Sequence, residues 1–161
     1  MNSLLSRALE LQQRAYDLMY LDTNGESIYS DDFCCLNKEV LVKSDFLFSA
    51  KGSDIEEEAN LCLALLMGYN ATIYDNGDKG QKKQAILERI SEILEQLPAS
   101  LLKVRLLAYC YGEVYEAALL QEAYAIIDDW NKGTLTEEQT GVLEELRNME
   151  ENPYPFEEVM V

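Results

Sequence analysis

Apolar residues recur along this chain at steps of three and four, the spacing of one helix face, and no run of alternating β-branched residues is long enough to make a strand. Residues 3 to 20 align Leu4, Ala8, Leu11, Ala15 and Leu18, widened by Leu5 and Met19, with Arg7, Glu10, Gln13, Arg14 and Asp17 on the other face. That pattern predicts an amphipathic helix. The segment "LDTNGESIYSDD" carries an Asn24-Gly25 turn signal and reads as a connecting loop. A second helix is expected from about residue 31 to 48, through "DDFCCLNKEVLVKSDFLF".

The stretch "EEEANLCLALLMGYNATIYDNGDKG", residues 56 to 80, is the most informative. Ser53 and Glu56 have the spacing of a capping box, and Asp54, Glu56, Glu57 and Glu58 place negative charge where the helix dipole favours it. The following "LCLALLMGY" is apolar on every side, which requires neighbouring helices all round. It is the expected central core helix. Residues 81 to 97 turn Ile86, Ile90, Ile93, Leu94 and Leu97 inward, with Lys82, Lys83, Glu88, Arg89, Glu92 and Glu95 expected outward. Pro98 is placed to open the next helix as its first residue, and "ASLLKVRLLAYCY" should end near Gly112. "VYEAALLQEAYAIIDDW" makes one more helix, and Thr136 with Gln139 forms a second capping box ahead of Val142, Leu143, Leu146 and Met149. The tail "NPYPFEEVMV" cannot continue as helix past Pro153 and Pro155. The fold expected is all-α, a compact bundle or stacked helical hairpins of about seven helices. A single domain over residues 1 to 150 should carry an extended acidic and aromatic tail, residues 151 to 161.

Composition adds constraint. The 161 residues can bury a core without disulfides, and 48% of them are hydrophobic, so the chain should fold despite its charge. Thirteen basic against 30 acidic side chains leave a net charge of −17. Such a surface repels phosphate backbones, which argues against direct nucleic-acid binding. No segment reads as a secretory leader or a membrane span, so a cytoplasmic protein is expected. Cys34, Cys35, Cys62 and Cys110 lack CxxC spacing, and reduced thiols are the favoured state.

Candidate chemistry is thin. A calcium loop opening at Asp75 would set Gly80 correctly but put Gly77, Lys79 and Ile86 where oxygen ligands belong. "GDKGQK" lacks the Gly-Lys-Ser/Thr ending of a phosphate loop. The turn therefore reads as a helix end, with Asp78 as an N-cap for the next helix. "NAT" at 70 to 72 matches a glycosylation acceptor but lies beside the core helix without a leader to deliver it. The chain has no histidine, which removes Ser-His and Cys-His nucleophile systems. The carboxylate pairs Glu144/Glu145 and Asp128/Asp129 point different ways on a helix and read as solvated charge rather than as acid and base. No catalytic, cofactor-binding or metal-ligating residue is assigned, and no cofactor is implied.

From Thr134 to the end, eight glutamates face one arginine, Arg147, a net of −7. Dense negative charge of this kind keeps a protein soluble and also draws in basic partners. Tyr154 and Phe156 in "NPYPFEE" either dock back on the bundle or anchor a partner.

Four segments, "IYSDDFCCLNKEV", "EEEANLCLALLMGYNATIYDNGDK", "LPASLLKVRLLAYCYGEVY" and "ENPYPFEEV", resemble the UpxZ family in the same order along nearly the whole chain. The resemblance implies a non-enzymatic product of a capsular polysaccharide locus in Bacteroides-type bacteria. Such a protein antagonises UpxY proteins, which are NusG-like transcription antitermination factors, and keeps competing operons off. It brings no contact residues with it. Taken with the charge, it makes Glu144, Glu145, Glu150, Glu151, Tyr154 and Phe156 the candidate partner-binding residues, with the antiterminator or its RNA polymerase complex as the partner. Two alternatives stand beside this. "AYCYGEVYEAALLQEAY" is similar in spacing to one tetratricopeptide hairpin and would suit a general helical adapter, but no copy follows at a 34-residue period. A hydrolase would need two carboxylates converging in one pocket.

Overall fold

The computed structural model describes residues 3–130 and 133–151, and among them the chain forms seven helices and no strand. None is long and apolar enough to cross a membrane. The expected all-α fold is observed. The chain divides into two compact units, Met1–Leu97 and Pro98–Val161.

The first unit contains α1 (Leu4–Thr23), α2 (Asp31–Leu47), α3 (Ile55–Ala71) and α4 (Lys79–Gln96). Each of the first three opens on a side-chain cap. Ser3 accepts from the Ser6 N–H, Ser30 from the Phe33 N–H, and Asp54 from the Glu57 N–H. The third cap corrects the expected Ser53/Glu56 box by one position. Asp54 takes the capping role, and Glu57 reaches back to the Ser53 N–H at 2.8 Å. An aspartate carboxylate accepts more strongly than a serine hydroxyl at a helix N-terminus, so the register follows the charge. At α4, Asp78 holds the N-cap position without a capping hydrogen bond, because its carboxylate pairs with Lys82 at 3.1 Å.

α3 packs against α1, α2 and α4 and is the centre of this unit. Every residue from Ala59 to Tyr69 is buried, as its all-round apolar sequence requires. Its leucines at 61, 63, 65 and 66 are fully buried, and each contributes about 1.5–3 kcal/mol relative to exposure. The few polar groups enclosed with them are satisfied. The Gln12 amide donates to the Asn60 carbonyl at 3.0 Å, Asn60 donates to the Glu56 carbonyl, and the Ser44 hydroxyl donates to the Val40 carbonyl at 2.8 Å. At Gly68 the absence of a side chain sets the α2–α3 spacing, since a Cβ there would fall 2.2 Å from Ser44 Oγ.

The second unit contains α5 (Leu101–Val114), α6 (Ala117–Asp128) and α7 (Glu137–Glu151), with α5 against both of the others. Pro98 is not the first residue of α5. Ser100 caps it instead, accepting from the Lys103 N–H, and the proline lies in the preceding turn. α5 also runs past Gly112 to Val114 and stops at Tyr115, held in the left-handed region at φ 56°. Tyr115 donates its N–H to the Tyr111 carbonyl at 2.8 Å and packs its ring edge-on against Tyr111, contacts that offset the cost of that conformation for a residue with a Cβ. At α7 the expected box forms, with Thr136 and Gln139 exchanging side-chain to backbone hydrogen bonds at 2.9 and 3.0 Å.

Two outcomes test this packing. Leu65→Asp or Leu66→Asp buries a carboxylate within α3 and should abolish cooperative unfolding; a soluble variant with a sharp melting transition would refute the core assignment. Gly68→Ala should cost roughly 1–2 kcal/mol in urea titration, because Ser44 must move and give up its bond to Val40. In a Ser44→Ala background the nearest remaining atoms lie at 3.4 and 3.5 Å, so the same change should become neutral or stabilising through helix propensity.

Candidate functional site

The Asp/Asn/Gly turn after α3 uses its polar groups internally. Asn37, buried on α2, accepts from the Ile73 and Tyr74 N–H groups at 2.8 and 3.3 Å and donates to the Tyr74 carbonyl at 2.9 Å. Asp75 accepts from the Gly77 N–H, with Gly77 at φ 85°, and Lys79 donates to the Thr72 carbonyl. Asn76 reaches Asp45 on α2. The turn is a pinned helix connection.

Next to it, Asp45 receives the Tyr69 hydroxyl and the Lys82 ammonium, both at 2.7 Å, and Lys82 also lies 5.5 Å from the centres of the Phe48 and Tyr69 rings. A second cluster joins α3 to α4. Arg89 donates to Glu58 at 2.8 and 3.0 Å and to the Phe48 and Ala50 carbonyls, while Glu58 also accepts from the Gly52 N–H. Lys82 and Arg89 were expected to face solvent; their side chains are instead only 19% and 16% exposed. Periodicity assigns charged residues outward, whereas these long stems run along apolar surface to carboxylates on neighbouring helices. Burial alone would raise both carboxyls. The Lys82 and Tyr69 hydrogen bonds bring Asp45 below its ordinary value, and Arg89 with the Gly52 N–H does the same for Glu58.

Neither cluster resembles a catalytic arrangement, since each carboxylate is held ionised by a cation. The four cysteines are free thiols, Cys34 and Cys35 exposed and Cys62 and Cys110 buried. Burial pushes the Cys110 thiol up to about 12, the opposite of nucleophile activation. Among the described residues no group of three acidic, cysteine or histidine side chains is placed to hold a metal ion.

The candidate partner-binding glutamates lie on α7, all four exposed. At about 100° per residue, Glu144 and Glu151 share the ridge opposite the buried stripe of Val142, Leu143 and Leu146. Glu145 lies beside that stripe, and Glu150, one turn past Leu146, lies in line with it. Glu150 accepts the Tyr124 hydroxyl of α6 at 2.9 Å, a contact across 26 positions that no local pattern signals. Burial and that carboxylate push Tyr124 up to about 12. Desolvation raises the Glu145 carboxyl against the pull of Arg105. Glu144 and Glu151 thus lie on the side away from the buried stripe, while Glu150 is tied to α6. Tyr154 and Phe156 lie outside the described residues.

Among the described residues the chain is all-helical, its buried charges are paired internally, and α7 is acidic. A model of the UpxZ family of transcription anti-terminator antagonists matches residues 8–112, and the chain belongs to that family. The crystal structure of a transcription anti-terminator antagonist UpxZ from Bacteroides uniformis ATCC 8492 is 65% identical, with a TM-score of 0.89 over 98% of each chain. No curated protein matches.

Because Asp45 and Glu58 have lowered folded-state values, they bind a proton less readily folded than unfolded. Their stabilisation is present above the unfolded carboxylate pKa of about 4 and is lost as pH falls through the folded values. Urea midpoints should therefore drop steeply below about pH 4, and Glu58→Gln, which no longer titrates, should lower stability at neutral pH and flatten that acid slope. An unaltered slope would remove Glu58 from the acid response.

Proposed function

We propose that this protein is a non-enzymatic, cytoplasmic regulator that inhibits transcription antitermination by binding NusG-like antiterminators of the UpxY type, alone or on RNA polymerase. Competing capsular polysaccharide operons are thereby kept off. Family membership, with a 65% identical relative over 98% of the chain, carries the reading.

The physical route is charge. A protein that meets nucleic acid or polymerase presents basic residues, and a partner of net −17 approaches that surface down a potential gradient. The Glu144 and Glu151 ridge of α7, exposed on the side away from its buried stripe, is the part best placed to steer. Glu145 and Glu150 add negative charge elsewhere on the helix, and Tyr154 and Phe156 supply apolar contact area next to it in sequence. Discrimination between similar antiterminators then rests on contacts that reject the wrong one.

Calorimetry against cognate and non-cognate antiterminators at two salt concentrations tests this. Binding should weaken with salt. Glu144→Lys with Glu151→Lys should leave the melting temperature near that of the wild type and weaken binding by on the order of 1 kcal/mol, chiefly through a slower association rate. Salt-insensitive binding would remove the electrostatic route, and no binding to any isolated antiterminator would shift the target to the polymerase-bound complex.

A further inference from the structure

α2 carries two apolar stripes and needs one. Phe33, Leu36, Val40 and Leu47 are buried, whereas Val42 and Phe46, a turn apart on another face, stay 57% and 68% exposed. Beside them, between α1 and α2, runs a groove of about 270 Å³ lined by Arg7, Glu10, Val42, Lys43, Phe46 and Leu47. That volume suits one large apolar side chain.

The charges around the groove are unequal. Lys43 and Glu10 neutralise each other across it at 2.5 Å. Arg7 makes no ion pair among the described residues; its guanidinium lies 5.1 Å from the centre of the Phe46 ring. Stacking restrains both side chains and leaves the guanidinium donors available to an external carboxylate. In a chain of net −17, the one charge this groove offers outward is positive. A basic segment would find its only local carboxylate already paired. A second copy of the chain would bring a second −17 against the first. An apolar side chain with a carboxylate beside it satisfies the Phe46 and Val42 surface and Arg7 together.

The family comparison points to the same place. The matched segment, residues 8–112, includes Glu10, Val42, Lys43, Phe46 and Leu47, with Arg7 one residue before it, and ends before α7 begins.

We propose that the α1–α2 groove is the anchoring contact for the antiterminator, receiving from it an apolar side chain with an adjoining carboxylate, while the acidic α7 steers the encounter. The assignment rests on the reading of the protein as an antagonist that binds such a factor.

The test is a kinetic binding measurement between the full chain and a purified NusG-like antiterminator of the UpxY type. Phe46→Ser, Val42→Asp and Arg7→Glu are compared with the wild type and with the Glu144→Lys, Glu151→Lys double variant. All three groove positions are exposed, so wild-type helicity and melting are expected and are checked first. Phe46→Ser should weaken binding about 30-fold, mostly through faster dissociation, as an anchor residue does. Arg7→Glu should cost about tenfold and Arg7→Lys less, because a lysine keeps the charge without the planar fork. The α7 variant should mainly slow association. Wild-type binding that survives all three groove substitutions overturns the groove and leaves the antagonist reading intact. A wild-type protein that binds no isolated antiterminator overturns this assignment, while the antagonist reading passes to the polymerase-bound complex.

Discussion

The constraint on which the first unit depends is that α3 has no face it can show to water. A helix buried from Ala59 to Tyr69 cannot be covered by one partner, so α1, α2 and α4 must all lie against it. That requirement fixes where the polar chemistry goes. Gln12 and Asn60 satisfy each other inside, Gly68 lets α2 approach, and the cations of α4 turn toward α2 and α3 rather than outward. Basic residues are scarce in this chain, and Arg14, Lys43, Lys79, Lys82 and Arg89 are all engaged in pairs within this unit. The field felt at a distance is therefore dominated by the excess of carboxylates.

The helices were legible because their apolar periods are strong. α1, α4 and α7 fall where the pattern places them, and α3 is central because its sequence permits nothing else. The ends were less so. Ser53 yielded the cap to Asp54 and Pro98 yielded its helix start to Ser100, since competing caps a residue or two apart differ by less than pattern matching resolves. The inward turn of Lys82 and Arg89 was illegible for a different reason: a charged residue at a boundary position goes wherever its counter-ion sits, and the counter-ions belong to other helices. Of the candidate site, the exposure of the α7 glutamates could be read from the period. The tie between Glu150 and Tyr124 could not, because its two ends lie on different helices. The exposed Phe46 and Val42 did leave a signal, a spare apolar stripe on α2 that the core does not need.

Steering and anchoring separate naturally in a protein of this kind. Long-range attraction scales with total charge and tolerates wide variation in which carboxylate supplies it, whereas a short-range contact depends on particular side chains in a particular groove. A regulator that must tell similar partners apart can keep the first constant while varying the second.

Arg89 has a role beyond its pair with Glu58. From α4 it donates to the Phe48 and Ala50 carbonyls, which end α2, while its carboxylate partner at the start of α3 also holds Gly52. The connection between the second and third helices is thus completed by a side chain from the fourth. That hairpin cannot close all its hydrogen bonds until α4 has arrived, so local order there waits on a distant part of the chain. Loss of α4 would therefore loosen the α2–α3 connection as well as its own packing.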